Sequence, residues 1–287
     1  MPRQGGRRTA QLALAATIGP LLAGLVSCRP ERAEDAQTPG QPTAQGASDS
    51  ADLHRKAALA LWMQGKREEA LAEIAVALET APDLAEAHMM RGQLLEELQK
   101  PAEARSAIER ALQIDPKHVS ARLTLARLLV REENLDGAER ELRRVVEAAP
   151  AESEARRGLA LVLIARGRLA DALPEAREAL RLRPDWPLAL GDLAWILARA
   201  EDPRLRDAQQ AVSLGEAAAR ATGRKHPGIL DALAAAYAEH GEIPKAAATA
   251  EEALQLALDQ RDDSFATRVG RRLIAYRAGT IDRQTPR

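Results

Sequence analysis

Cysteine occurs once in 287 residues, phenylalanine once and tyrosine twice, and aromatics make up only 2% of the chain. A single cysteine excludes an internal disulfide framework. With 46% hydrophobic residues and almost no aromatics, any core must be built from Ala, Leu, Ile and Val. Small side chains let helices approach closely. Strands favour β-branched and aromatic residues, so the composition points to stacked helices rather than a sheet. Excess charge is also missing: 41 basic residues face 42 acidic ones, a formal net charge of −1. That balance lacks the basic footprint of a nucleic-acid binder, and no nucleic acid is expected among the partners.

Catalytic signatures are missing as well. There is no GxSxG, GxxxxGK[ST] or GxGxxG. The histidines His54, His88, His118, His226 and His240 form no HxxxH and have no cysteine beside them. Metal ligands must converge in space, and these lie far apart along the chain, so neither metal nor cofactor is expected. The acidic pairs Glu68-Glu69 and Glu96-Glu97 read as solvated helix faces, without a pocket that would raise one pKa for acid–base work. No catalytic residue emerges, and the chain is not expected to be an enzyme.

What is present is a period. Pro82, Pro116, Pro150 and Pro184 stand 34 residues apart. Between the first two, apolar residues recur at helical spacing on both sides of a break near Gln99: Ala87, Met90, Leu94 and Leu98, then Ala104, Ile108, Ala111 and Leu112. This predicts two amphipathic helices joined by a tight turn, neither able to bury its stripe alone. Stacking of successive hairpins supplies the missing cover. The pattern resembles the tetratricopeptide repeat. That resemblance implies an all-α, right-handed solenoid of six helix–turn–helix units over residues 51–262, closed by a capping helix and tail over 263–287.

The family places small residues at the eighth, twentieth and twenty-seventh positions of each repeat. The eighth positions here are Ala58, Gly92, Ala126, Ala160, Ala194 and Ala234. The twentieth are Ala70, Ala104, Ala138, Ala172, Ala208 and Ala246, and the twenty-seventh are Ala77, Ala111, Val145, Ala179, Gly215 and Ala253. Gly65, Gly167 and Gly241 suit the turn between helices, and Asp83 and Asp185 suit helix N-caps. The fifth copy is longer. The alignment puts two extra residues around Asp202-Pro203 and the other four near residues 222–226. Arg268, Arg271, Arg272 and Arg277 mark residues 265–278 as a polar capping helix, and residues past Thr280 are expected to fray.

The first 27 residues stand apart. Arg3, Arg7 and Arg8 precede an apolar run from Leu12 to Val26, the layout of a secretory signal. Leu25-Val26-Ser27-Cys28 resembles a bacterial lipobox, which implies lipid attachment at Cys28. An uncleaved anchor and an ordinary cleaved signal are the alternatives. Residues 28–50 are rich in Pro, Gln, Ala, Gly and Ser and read as a disordered tether with a reach of roughly 25 Å. The resemblance implies a lipid-anchored protein of the bacterial cell envelope, facing the periplasm. Arg29, rather than Asp, follows the cysteine, which favours outer over inner membrane.

Tetratricopeptide proteins hold peptide segments of other proteins in a concave groove, mainly through the second, fifth, ninth and twelfth positions of each first helix. Carried onto this chain, the groove would comprise Arg55, Leu59, Trp62, Met89, Gln93, Leu123, Arg127, Arg157, Leu161, Trp195, Arg199 and Asp231. Apolar residues interleaved with arginine imply an acidic-apolar segment. Arg127 and Arg157 should face one concavity and be replaceable without loss of fold. The expected function is a protein–protein scaffold or adaptor. The alternatives are an assembly factor for an outer-membrane complex, similar to pilotins or barrel-assembly lipoproteins, and a regulatory subunit of a cell-wall or polysaccharide enzyme.

Overall fold

The computed structural model describes residues 44–282; the signal, Cys28 and most of the tether lie outside them. The described residues form an α-solenoid with no strand among them. Six hairpins follow in order: α1 (Ala44–Met63) with α2 (Arg67–Thr80), α3 (Ala85–Glu97) with α4 (Pro101–Ile114), α5 (Val119–Arg131) with α6 (Leu135–Ala148), α7 (Ser153–Ala165) with α8 (Leu169–Leu182), α9 (Pro187–Arg199) with α10 (Ala208–Ala221), and α11 (Pro227–Glu239) with α12 (Ile243–Asp259). A final helix, α13 (Asp263–Arg277), folds back on α12. Helix α1 begins at Ala44, inside the span expected to be tether. Once its packed part is nucleated, each added residue gains one backbone hydrogen bond, and no proline intervenes.

Five of the six hairpins close through a residue in the left-handed region, the α9–α10 hairpin being the exception. Gly65, Gly167 and Gly241 take this position with φ of 78, 73 and 89°, as the sequence predicts. Gln99 and Glu133 take it in the second and third repeats, with φ of 59 and 58°. A left-handed non-glycine residue costs about 1–2 kcal/mol, so packing of the two helices outweighs local preference there. Close approach explains the small positions. Ala58, Ala70, Ala77, Ala104, Ala111 and Ala138 have no exposed surface. At Gly92 a Cβ would come within 2.4 Å of Ile108 Cδ1.

Three sequence expectations are corrected. Asp83 and Asp185 do not cap α3 and α9, whose N-cap residues are Leu84 and Trp186 without a side-chain hydrogen bond; Asp83 instead accepts from Arg110 at 2.7 Å. The insertion in the fifth repeat is divided differently. Residues 200–207, including the 3-10 turn Pro203–Leu205, separate α9 from α10, where three residues separate the helices of every other hairpin. The places equivalent to the twentieth and twenty-seventh of the other repeats are therefore Ala211 and Ala218, both fully buried. Ala208 is only half-buried, whereas Gly215, though out of that register, is close-packed, a Cβ there lying 3.2 Å from Leu233 Cα. Asp207 fixes this restart, its side chain accepting from the Gln210 amide at 2.9 Å. Residues up to Asp282 are held: Ile281 packs on the last hydrophobic cluster, and the Asp282 main-chain oxygen accepts from Arg199.

Candidate functional site

The first helices carry the expected groove residues, and their surroundings differ along the array. On α1, Arg55 pairs with Asp52 at 2.6 Å, Leu59 is exposed, and Trp62 donates its indole N–H to Glu97 at 3.1 Å. On α3, Met89 packs against the main core. Gln93 lines a polar depression with Trp62, Glu96 and Arg127. Glu96 is buried rather than solvated. Its carboxylate accepts from Arg127 at 3.1 and 2.6 Å and pairs with Arg131 at 3.0 Å. The hydrogen bond to Glu96 raises the Arg127 pKa above the ordinary guanidinium value, against the opposing effect of burial.

Helices α5 and α7 bring four of the expected residues together. Leu123 and Arg127 on one side, Arg157 and Leu161 on the other, line a cleft of about 400 Å³. Its volume lies in the roughly 300–1,000 Å³ range of ligand sites. Ala126, Val130, Leu142 and Val162 complete largely apolar walls, and Gly158 and Trp186 also line it. Arg157 is not the freely replaceable charge that the sequence suggested. Its Nε donates to Asp192 at 2.7 Å, and Asp192 is buried. The Arg157 guanidinium lies 5.1 Å from the Trp186 ring, whose other contact is Arg183 at 4.3 Å. Reversing Arg157 would set a second carboxylate against the buried Asp192. The sequence reading missed Trp186, Val130 and Gly158. The rarity of aromatics was the available signal for Trp186, because a tryptophan between repeats fits no packing position.

The C-terminal third of the expected groove is closed. Trp195, Arg199 and Asp231 are buried and are removed from the accessible wall. Helix α13 fills this space. Arg272, expected on a polar outer surface, is fully buried with Asp231, its Nε 2.9 Å from Oδ1 and its Nη2 2.7 Å from Oδ2. The Trp195 ring has Arg199 at 4.6 Å and Arg272 at 5.1 Å. Burial pushes the Arg199 pKa down and that of Tyr276 up to about 12. Among the described residues the buried Tyr276 hydroxyl has no hydrogen-bond partner. Val269, Arg272, Leu273 and Tyr276 lie at helical spacing and are all buried, a stripe that marks Arg272 as inward-facing.

Among the described residues, no group of three or more His, Cys, Asp or Glu side chains converges on a metal position, and no helix is long and apolar enough to cross a membrane. His118 and His226 serve their own helices, each accepting from a first-turn amide, of Ala121 and Ile229 respectively.

Two family models of the tetratricopeptide repeat match the chain, over residues 55–119 and 95–162. Among curated proteins none matches. Solved structures share the fold. PilF of Pseudomonas aeruginosa has a TM-score of 0.63 at 20% identity, over 77% of this chain and 97% of that one. MamA of Desulfovibrio magneticus RS-1 scores 0.52 at 22%, over 61% and 97%. YrrB, described as a tetratricopeptide protein with an unusual peptide-binding site, scores 0.51 at 19%, over 69% and 97%.

Proposed function

We propose that this solenoid of tetratricopeptide-type hairpins is a protein-binding scaffold that seats an extended segment of a partner along its first helices, anchored in the cleft between α5 and α7. The observation that carries the reading is that cleft. Elsewhere Leu59 is exposed on α1, and most of the other expected groove residues are paired in the chain, packed or covered by α13. Between Leu123 and Leu161 an apolar cavity stays open beside charged side chains. Apolar surface rimmed by charge is the usual anatomy of a recognition patch. A preformed rigid site also lowers the ordering cost of binding on its own side. That YrrB is described as having a peptide-binding site is in keeping with this use of the fold.

The location we propose is the bacterial envelope, with the chain lipid-anchored at Cys28 and facing the periplasm, at the outer rather than the inner membrane. This part rests on the sequence of residues 1–28. Two acyl chains attach a protein durably where one alone is marginal.

The binding test is site-directed photocrosslinking in the native host. A photoreactive residue at Val130, on the cleft and partly exposed, is compared with one at Val76 on α2, also partly exposed. The expected result is a discrete protein adduct from Val130 that is missing from Val76. Adducts from Val76 alone, or the same adducts from both, would refute the groove.

A further inference from the structure

One wall of the cleft lacks a side chain. Gly158 is the sixth residue of the fourth repeat. The same position in the second, third, fifth and sixth repeats holds Met90, Thr124, Asp192 and Ala232, all buried in the wall of the array. At Gly158 the wall carries no side chain, and the end of Leu142 reaches into the gap from behind, both residues lining the cleft. A Cβ built there would lie 2.9 Å from Leu142 Cδ2, the end of a flexible side chain, and the next nearest atoms belong to the same side chain. Packing therefore does not demand glycine here, unlike at Gly92, where a Cβ would meet the Ala104 carbonyl oxygen at 3.1 Å as well as Ile108. Gly158 is not at a turn either. It lies inside α7, where glycine is the poorest residue after proline. A glycine that weakens its helix and is not forced by contacts leaves the space itself as its consequence.

The lips of this space carry charge. Arg127 stands on one lip, and Arg131 lies beside it in the adjoining polar depression. Their side chains are 55% and 59% exposed and share the single Glu96 carboxylate, which leaves one positive charge of the pair in excess. The exposed Glu154 stands on the α7 side. A bound segment thus meets an apolar hole with a cationic edge on one side and an anionic edge on the other.

Resting on the groove reading above, we infer that Gly158 is the specificity-determining residue of a side-chain pocket that selects partner segments by one bulky apolar residue, aromatic or branched aliphatic, next to a carboxylate that faces Arg127 and Arg131. Burial of a large apolar side chain distinguishes it from alanine by about tenfold or more in affinity. Adding a methyl at Gly158 shrinks the hole, and adding an isobutyl group fills it.

The test uses the full chain and a fluorescein-labelled host peptide, Ser-Gly-Ser-X-Glu-Ser-Gly-Ser, with X as Ala, Leu or Trp, titrated by fluorescence anisotropy. The natural chain should bind the Leu and Trp peptides about tenfold more tightly than the Ala peptide. Gly158→Leu should compress that ranking to within about threefold, and Gly158→Ala should fall between. Gly158→Ala should also melt at the same temperature as the natural chain or higher, because alanine is the better helix former. That separates lost recognition from lost folding even where Gly158→Leu is unstable. Replacing Glu by Lys in the Trp peptide should weaken binding to the natural chain and have a smaller effect in Arg131→Gln. If the natural chain ranks the peptides and both Gly158 variants keep the ranking, the pocket assignment is wrong while the groove stands. If no peptide binds the natural chain, the groove reading falls and this inference falls with it.

Discussion

Removing Arg272 asks whether the C-terminal end of the groove is closed as described. Arg272 and Asp231 have no solvent exposure and meet through two hydrogen bonds, at 2.9 and 2.7 Å. Arg272→Met keeps the volume and apolar character of the stem and leaves Asp231 buried without its cation. Breaking a buried pair from one side destabilises by about 3–5 kcal/mol, and the lost contact with Trp195 is included in that figure. The paired replacement Asp231→Leu with Arg272→Met removes both charges and should be close to neutral or stabilising. The coupling between the two sites should therefore be large and of opposite sign to the single-variant losses. A repeat array unfolds locally, so the loss should concentrate at its end. Urea melts of the four proteins give the energies, and hydrogen exchange of amides in α12 and α13 gives the location. If Arg272→Met costs less than about 1 kcal/mol and α13 keeps its protection, the pair does not hold the end shut. Asp231, Trp195 and Arg199 would then return as groove residues.

Gly92→Ala should destabilise by about 1–3 kcal/mol through overpacking against Ile108 and Ala104, although alanine favours helix by about 1 kcal/mol; an unchanged or raised melting temperature would show that the α3–α4 contact is looser than described. Cys28→Ala should abolish incorporation of a labelled fatty acid in the native host and release the protein from the membrane fraction, and membrane retention at normal processed size would rule the anchor out.

The sequence by itself determined the hairpins, their number and most of their contacts. Those features rest on residues near one another in the chain: the 34-residue period, the apolar stripes and the small positions such as Ala104 and Ala138. Helical geometry maps such spacing onto one face wherever the helix lies. The same logic failed in the fifth repeat, because the length of an insertion does not say where the next helix restarts. Asp207 and the 3-10 turn before it decided that, and Ala211 took the position predicted for Ala208. Of the residues the sequence assigned to a groove, Leu123, Arg127, Arg157 and Leu161 line one cleft. It placed Trp195, Arg199 and Asp231 by the same rule and was wrong about their exposure. Position within a repeat states which way a side chain points, not what later folds over it. Asp231 is covered by Arg272, 41 residues away, and that pairing exists only once α13 has turned back on α12. The charges of Arg127 and Arg157 were equally visible in the sequence, yet one leans on Glu96 and the other holds a buried Asp192. The pocket at Gly158 is an absence, and an absence acquires a shape only when Leu142, Val130 and Trp186 are set around it.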